Sequence, residues 1–90
     1  MRVARRFVVS GRVQGVGFRY YAQNAALREG VDGWVENLAD GRVEAFVEGD
    51  EEAVTRMERA LRAGPPAARI RDVNVIEEEP SGGLKGFRIR

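Results

Sequence analysis

The chain has 90 residues, of which 43% are hydrophobic and 32% charged, a balance that fits one small domain with a modest core, spanning residues 1–90. Its net charge of +1 gives no overall pull toward nucleic acid or an anionic membrane, and no apolar run is long enough to cross a bilayer. Cysteine and histidine are both absent, which excludes a thiolate nucleophile, an imidazole base and a zinc site built from the usual nitrogen and sulfur ligands.

The basic N-terminal stretch has an apolar part of only Phe7 to Val9, too short for a signal-peptide core, so a cytoplasmic setting is expected. Residues 3–10, VARRFVVS, read as a strand with Phe7 and Val9 on one face and Val8 on the other. A glycine-rich stretch follows, and then FRYYAQNAALRE (18–29) carries Phe18, Ala22, Ala25 and Ala26 at helical spacing, with Gly30 just past the helix end. VDGWVENL (31–38) is a second strand. Asp40-Gly41 marks a hairpin, and RVEAFVE (42–48) alternates with Val43, Ala45 and Val47 on one face.

Asp50 is a good N-cap for a second helix, where Glu51 and Glu52 complement the dipole and Ala53, Val54, Met57, Ala60 and Leu61 form an apolar stripe. Gly64-Pro65-Pro66 stops it. Residues 69–77 form a fourth strand with Val73 and Val75 facing one way, PSGG is a turn, and GFRIR (86–90) is a short fifth strand. This order predicts an α+β, ferredoxin-like βαββαβ sandwich: an antiparallel sheet, two helices on one face, and a short extra C-terminal strand. Many unrelated activities share that fold, so function must be argued from a site.

The candidate site is GRVQGVGFR (11–19), between the first strand and the first helix. The opening amides of a helix lack intrahelical partners and sit at its positive end. Glycines before that end let successive N–H groups converge on one anion, and an arginine at the helix start adds a planar fork of donors. Gly15, Val16, Gly17, Phe18 and Arg19 are therefore expected to cradle a phosphoryl group. A plain strand-to-helix turn with a solvated Arg19 is the alternative for any glycine-rich loop. Neither the P-loop pattern nor the dinucleotide-binding pattern is present.

GRVQGVGFR resembles the first signature of the acylphosphatase family, and GWVENLADGRVEAFVEG (33–49) resembles the second. The similarity runs over essentially the whole chain, including the terminal GFRIR. It implies a small hydrolase that cleaves carboxyl-phosphate mixed anhydrides to a carboxylate and inorganic phosphate, with no metal and no cofactor. The family's catalytic arginine falls on Arg19, its catalytic asparagine on Asn37, and its phosphate-binding loop on Gln14, Gly15, Val16, Gly17, Phe18 and Arg19. One position departs from the family pattern: Glu36, before the asparagine, is more often basic or neutral. In a strand Glu36 and Asn37 point to opposite faces, so Glu36 is expected to face away from the site.

Other features read more plainly. Trp34 and Phe46 are expected as core or half-exposed sheet residues. The acidic run 48–52 reads as a turn plus a helix start rather than a cation site. Glu77 to Glu79 read as a solvated strand end. Two rival functions compete with this reading. An RNA binder of this topology would stack bases on the third strand, but Phe46 is flanked there by Glu44 and Glu48, so no nucleic-acid partner is expected. A non-catalytic phosphate- or acyl-phosphate-binding regulatory module is the second rival. The chain ending right after GFRIR favours a free-standing enzyme. Its partners would be a small-molecule acyl phosphate and the phosphate product, with no membrane, and a monomer is the default.

Overall fold

A computed structural model describes residues 1–90. Seven elements follow in chain order: β1 (Arg2–Arg12), α1 (Phe18–Glu29), β2 (Asp32–Asn37), β3 (Val43–Asp50), α2 (Glu51–Ala63), β4 (Arg69–Glu78) and β5 (Phe87–Ile89). The five strands form one sheet in the order β4-β1-β3-β2-β5. The expected elements are all present, most with an end shifted by one or two residues.

Register explains which residues meet. Phe7 lies opposite Ala45 of β3 and Val75 of β4, and Val9 opposite Val43 and Val73. Side chains of a strand alternate between faces, so this set shares one face of the sheet. That face meets Ala22, Ala25 and Ala26 of α1 and Val54, Met57 and Leu61 of α2, all within a single buried cluster. Burying each larger apolar side chain contributes about 1.5–3 kcal/mol, which is why the small alanines on α1 matter: they let the helix approach closely enough to cover the valines. The Tyr21 hydroxyl donates to the Ala60 carbonyl at 2.8 Å and ties α1 to α2.

The other face of the sheet has no helix. Ala4, Arg6 and Val8 of β1 lie opposite Glu48, Phe46 and Glu44 of β3, so these residues share the open face. Trp34 on β2 pairs in register with Phe46, and the two rings stack with centroids 6.1 Å apart. Arg6 reaches Glu44 at 3.3 Å and Glu78 at 3.3 Å. Glu78 is thus an ion-pair partner, and so is Glu77, which takes Arg5 at 3.1 Å, rather than part of a freely solvated strand end.

The four strands β4, β1, β3 and β2 are antiparallel, as expected, and the extra strand β5 joins the β2 edge in parallel, which makes the whole sheet mixed. The reason lies in the path of residues 79–86. β4 ends where Ala4 faces Glu78, at the end of the sheet where β2 begins. The chain crosses from the β4 edge to the β2 edge at that end, so β5 must run in the same direction as β2. Glu48 on β3 holds the crossing: it accepts from the Ser81 N–H at 2.8 Å, the Ser81 hydroxyl at 2.9 Å and the Gly82 N–H at 2.9 Å. Asp32 then accepts from the Gly86 N–H at 2.8 Å. Glu48 is therefore a fully buried anchor in a strand, not part of an exposed acidic turn. Asp50 also departs from expectation. It occupies the N-cap position of α2 but makes no side-chain capping bond; its carboxylate takes the Met1 amino group at 3.2 Å instead.

Candidate active site

β1 and β2 both pair antiparallel with β3, so they point the same way and finish at the same end of the sheet. The glycine-rich loop leaves β1 there, and Asn37 closes β2 there. Asn37 lies opposite Val43, whose side chain is in the core, so the asparagine is on the helix-bearing face. The sequence folds this way because Val35 must be buried, which forces Asn37 to the same face and Glu36 to the other.

Gly15 and Gly17 have φ of +74° and +79°, the left-handed region that a side chain disfavours, and a Cβ on either would meet no atom within 4 Å. They serve the path of the backbone, not a tight contact. Gly11 differs. A Cβ there would lie 2.1 Å from the Arg69 carbonyl oxygen, at the irregularity where β1 and β4 shift register after Ser10. Two of the three glycines therefore shape the loop, and the third permits a close strand approach.

Helix α1 begins at Phe18 with Gly17 in the cap position, no side-chain cap and no acidic residue in its first turn. Its positive end is left uncompensated by protein groups, which suits an anion. Phe18 is 2% exposed and anchors the helix start in the core, so the direction of Arg19 is set by packing. The Arg19 Nη1 donates to the Arg90 main-chain oxygen at 3.3 Å. The Arg90 N–H in turn donates to the Val35 oxygen at 2.8 Å, so β5 supports the guanidinium from the side.

These residues surround a cavity of about 220 Å³ lined by Val13, Gly15, Gly17, Phe18, Arg19, Tyr20 and Asn37. Of the expected residues, Gly15, Gly17, Phe18, Arg19 and Asn37 thus converge from the loop, the helix start and the end of β2. Gln14 and Val16 do not line it. The Gln14 side-chain amide is engaged elsewhere, donating to the Leu38 oxygen at 2.7 Å and the Arg42 oxygen at 3.0 Å. It ties the loop to the β2–β3 hairpin and so fixes the distance between the loop and Asn37. Val16 packs against the core. Sequence reasoning missed the tethering role of Gln14, the Arg90 oxygen, and the lining residues Val13 and Tyr20. Tyr20 follows from being next to Arg19 in a first helical turn; the first two depend on long-range pairing that no local pattern shows.

Glu36 shares the open face with Trp34, and its Oε1 lies 3.2 Å from the Arg90 Nε. It faces away from the cavity, as expected. No group of three or more carboxylate, imidazole or thiol side chains is placed to hold a metal ion. A site made of outward amides, one guanidinium and one neutral amide can hold a tetrahedral oxyanion and orient a water beside it.

Comparison with known proteins agrees with that chemistry. The family model described as Acylphosphatase matches residues 5–89. The acylphosphatase of Anaeromyxobacter dehalogenans is 56% identical over 89 residues, covering 99% of this chain and 96% of that protein. The crystal structure of acylphosphatase from Bacillus subtilis superposes with a TM-score of 0.94 at 41% identity, covering 98% of each chain. A part of full-length HypF is also similar, with a TM-score of 0.88 at 30% identity over 100% of this chain and 12% of that one.

Proposed function

The chain belongs to the acylphosphatase family, and from that premise we propose how its residues divide the work. The protein hydrolyses the carboxyl-phosphate bond of acyl phosphates to a carboxylate and inorganic phosphate. Arg19 and the main-chain amides of residues 15–19 bind the phosphoryl oxygens, and Asn37 positions the attacking water. The observation that carries this reading is the convergence of Gly15, Gly17, Arg19 and Asn37 on one cavity.

The leaving group is a carboxylate of low basicity, so it departs without a proton donor, and the absence of histidine leaves no gap in the chemistry. Phosphoryl transfer passes through a loose transition state and needs mainly positioning and charge stabilisation. As the P–O bond to the acyl group lengthens, its electron pair goes to the carboxylate. Negative charge on the phosphoryl oxygens stays within reach of the loop amides and the Arg19 fork, which pay no reorganisation at that moment. Asn37 cannot act as a base at neutral pH, but its amide can both accept from and donate to a water. Held in line with the leaving oxygen, that water forms the new P–O bond, and its proton passes to a phosphoryl oxygen or to solvent. Orientation of this kind can supply several kcal/mol of the barrier, up to about 7–11 in favourable cases.

Gln14 acts indirectly, by keeping the loop against the hairpin that carries Asn37. Residues 1–90 act as one unit, as a monomer in the cytoplasm; no helix is long and apolar enough to cross a membrane. The deciding experiment is turnover of benzoyl phosphate in the presence of EDTA, compared with Arg19→Ala. Hydrolysis that survives EDTA and is lost in the variant supports the assignment. Phosphate or acyl-phosphate binding without turnover would instead support the regulatory module.

A further inference from the structure

On the open face, a cleft of about 620 Å³ lies between the first half of β2, the C-terminal segment with β5, and the loop before β5, far larger than the phosphoryl cavity of about 220 Å³. Trp34, Leu84, Lys85, Gly86, Arg88 and Arg90 are among its lining residues. We propose that this cleft is a second anion-binding site, and that its ligand is a small polyphosphate, free or esterified.

Charge pairing makes the first argument. On this face Arg2, Arg6 and Arg90 each have a carboxylate partner, whereas Lys85 and Arg88 have none. Two carboxylates in contact with cleft-lining residues are already engaged: Glu36 holds Arg90, and Asp32 holds Arg2 and the Gly86 N–H. Two unpaired cations beside a third make a local excess in a protein whose net charge is only +1. Such an excess costs repulsion unless an anion joins it.

Geometry makes the second. Arg90 is not free to wander: its guanidinium carbon sits 4.3 Å from the Trp34 ring centroid while its Nε faces Glu36. A stacked guanidinium keeps its in-plane donors available to phosphate. Arg88 on β5 pairs with Trp34, and Arg90, just past the strand, stacks on the same ring; two residues apart in extended chain they lie about 7 Å from each other, a span that linked phosphate groups can bridge. The volume falls in the range of about 300–1,000 Å³ usual for small-molecule sites. Beyond the cleft the open face carries Glu36, Glu44 and Glu78, so an extended polyanion lying across the sheet would meet carboxylates, and a compact one would not.

Trp34 is the single tryptophan of the chain, so its emission reports on the cleft directly. The probe is sodium tripolyphosphate, titrated at constant ionic strength into the wild type, into Arg19→Ala, and into Lys85→Glu/Arg88→Glu. The expected result is a saturable change in emission in the wild type and in Arg19→Ala, with affinity weakened about tenfold or more in the double variant. Benzoyl phosphate turnover by the double variant without the probe should stay within a few-fold of wild type, since neither residue lines the phosphoryl cavity. Arg88→Gln, which removes charge without reversing it, should weaken binding less. Displacement by adenosine triphosphate tells the free from the esterified ligand, the tighter binder being the source. A change that does not saturate, that sodium chloride reproduces, or that the double variant retains overturns the proposal. A change that vanishes in Arg19→Ala overturns it too, because the probe would then occupy the phosphoryl cavity; failure of the catalytic assignment alone would leave the titration unaltered.

Discussion

Arg19 on the first turn of α1 donates to the main-chain oxygen of Arg90 at 3.3 Å, which links the candidate catalytic guanidinium to the strand paired on β2. One nitrogen of the fork is occupied by this bond, and the rest of its donors remain for a phosphoryl group. A lysine can supply the charge but cannot hold the Arg90 oxygen and two phosphoryl oxygens in one plane. Arg19→Lys and Arg19→Ala should therefore both lower kcat/KM by on the order of a thousandfold. Unfolding midpoints should be nearly unchanged, because Arg19 is half-buried at the surface. Retention of a tenth or more of the activity by Arg19→Lys would show that charge alone suffices.

Asn37 is exposed, and in the proposed mechanism it orients water rather than holding phosphate. Asn37→Ala should lower kcat by about a hundredfold or more and leave the inhibition constant of inorganic phosphate within about threefold. A parallel loss of phosphate affinity would move Asn37 to the binding role.

Much of this site was legible in the sequence, because it is made of local signals. Glycines at a strand-to-helix junction and an arginine one residue into the helix declare themselves within a few residues, whereas Asn37 came in through the family resemblance and not through a local signal of its own. Period-2 alternation also told which way Glu36 points. What was not legible depends on pairing across the chain. The edge chosen by β5, and hence the Arg90 oxygen beside Arg19, follows from the crossing held by Glu48, Ser81 and Gly82. No local pattern marks Glu48 as buried; in the sequence it is one acid of several near a helix start.

Glu36→Arg tests the face assignment. The substitution breaks the contact with Arg90 on the open face but puts no charge into the cavity. The value of kcat/KM should stay within a few-fold of wild type. A gain well beyond that would mean that the Glu36 carboxylate acts on the phosphoryl group after all.

The glycines separate by mechanism. Gly15→Ala and Gly17→Ala meet open space, so their cost is the left-handed backbone, about 1 kcal/mol each, and the variants should fold with reduced turnover as the loop amides swing away. Gly33 is in a strand, and a Cβ there would lie 1.8 Å from the Phe46 carbonyl oxygen. Gly33→Ala must push β2 from β3 and should cost more than about 4 kcal/mol, with loss of folded protein. Denaturant melts of the three variants check the contrast; similar losses in all three would refute it.

Glu48 gives the acid limb of stability its sign. Burial pushes its pKa up, but the N–H groups of Ser81 and Gly82, the Ser81 hydroxyl and Arg2 outweigh burial and hold it down at about 2, against an ordinary value of 4.5. A depressed carboxyl pKa means that the unfolded chain takes up the proton first. The stabilisation is therefore complete above about pH 5 and is lost as the pH falls through the ordinary value toward about 2, amounting to about 3 kcal/mol in all. Glu48→Gln removes the titrating group, so its stability deficit against wild type should be constant from about pH 7 to 5 and shrink steadily below that. Urea midpoints across that range measure it. The same variant loosens the crossing that delivers β5 to β2, so kcat/KM should fall at neutral pH as the Arg90 oxygen loses its fixed place beside Arg19. Acid limbs that run parallel in the two proteins would mean that the Glu48 carboxylate does not hold the Ser81 and Gly82 amides in solution.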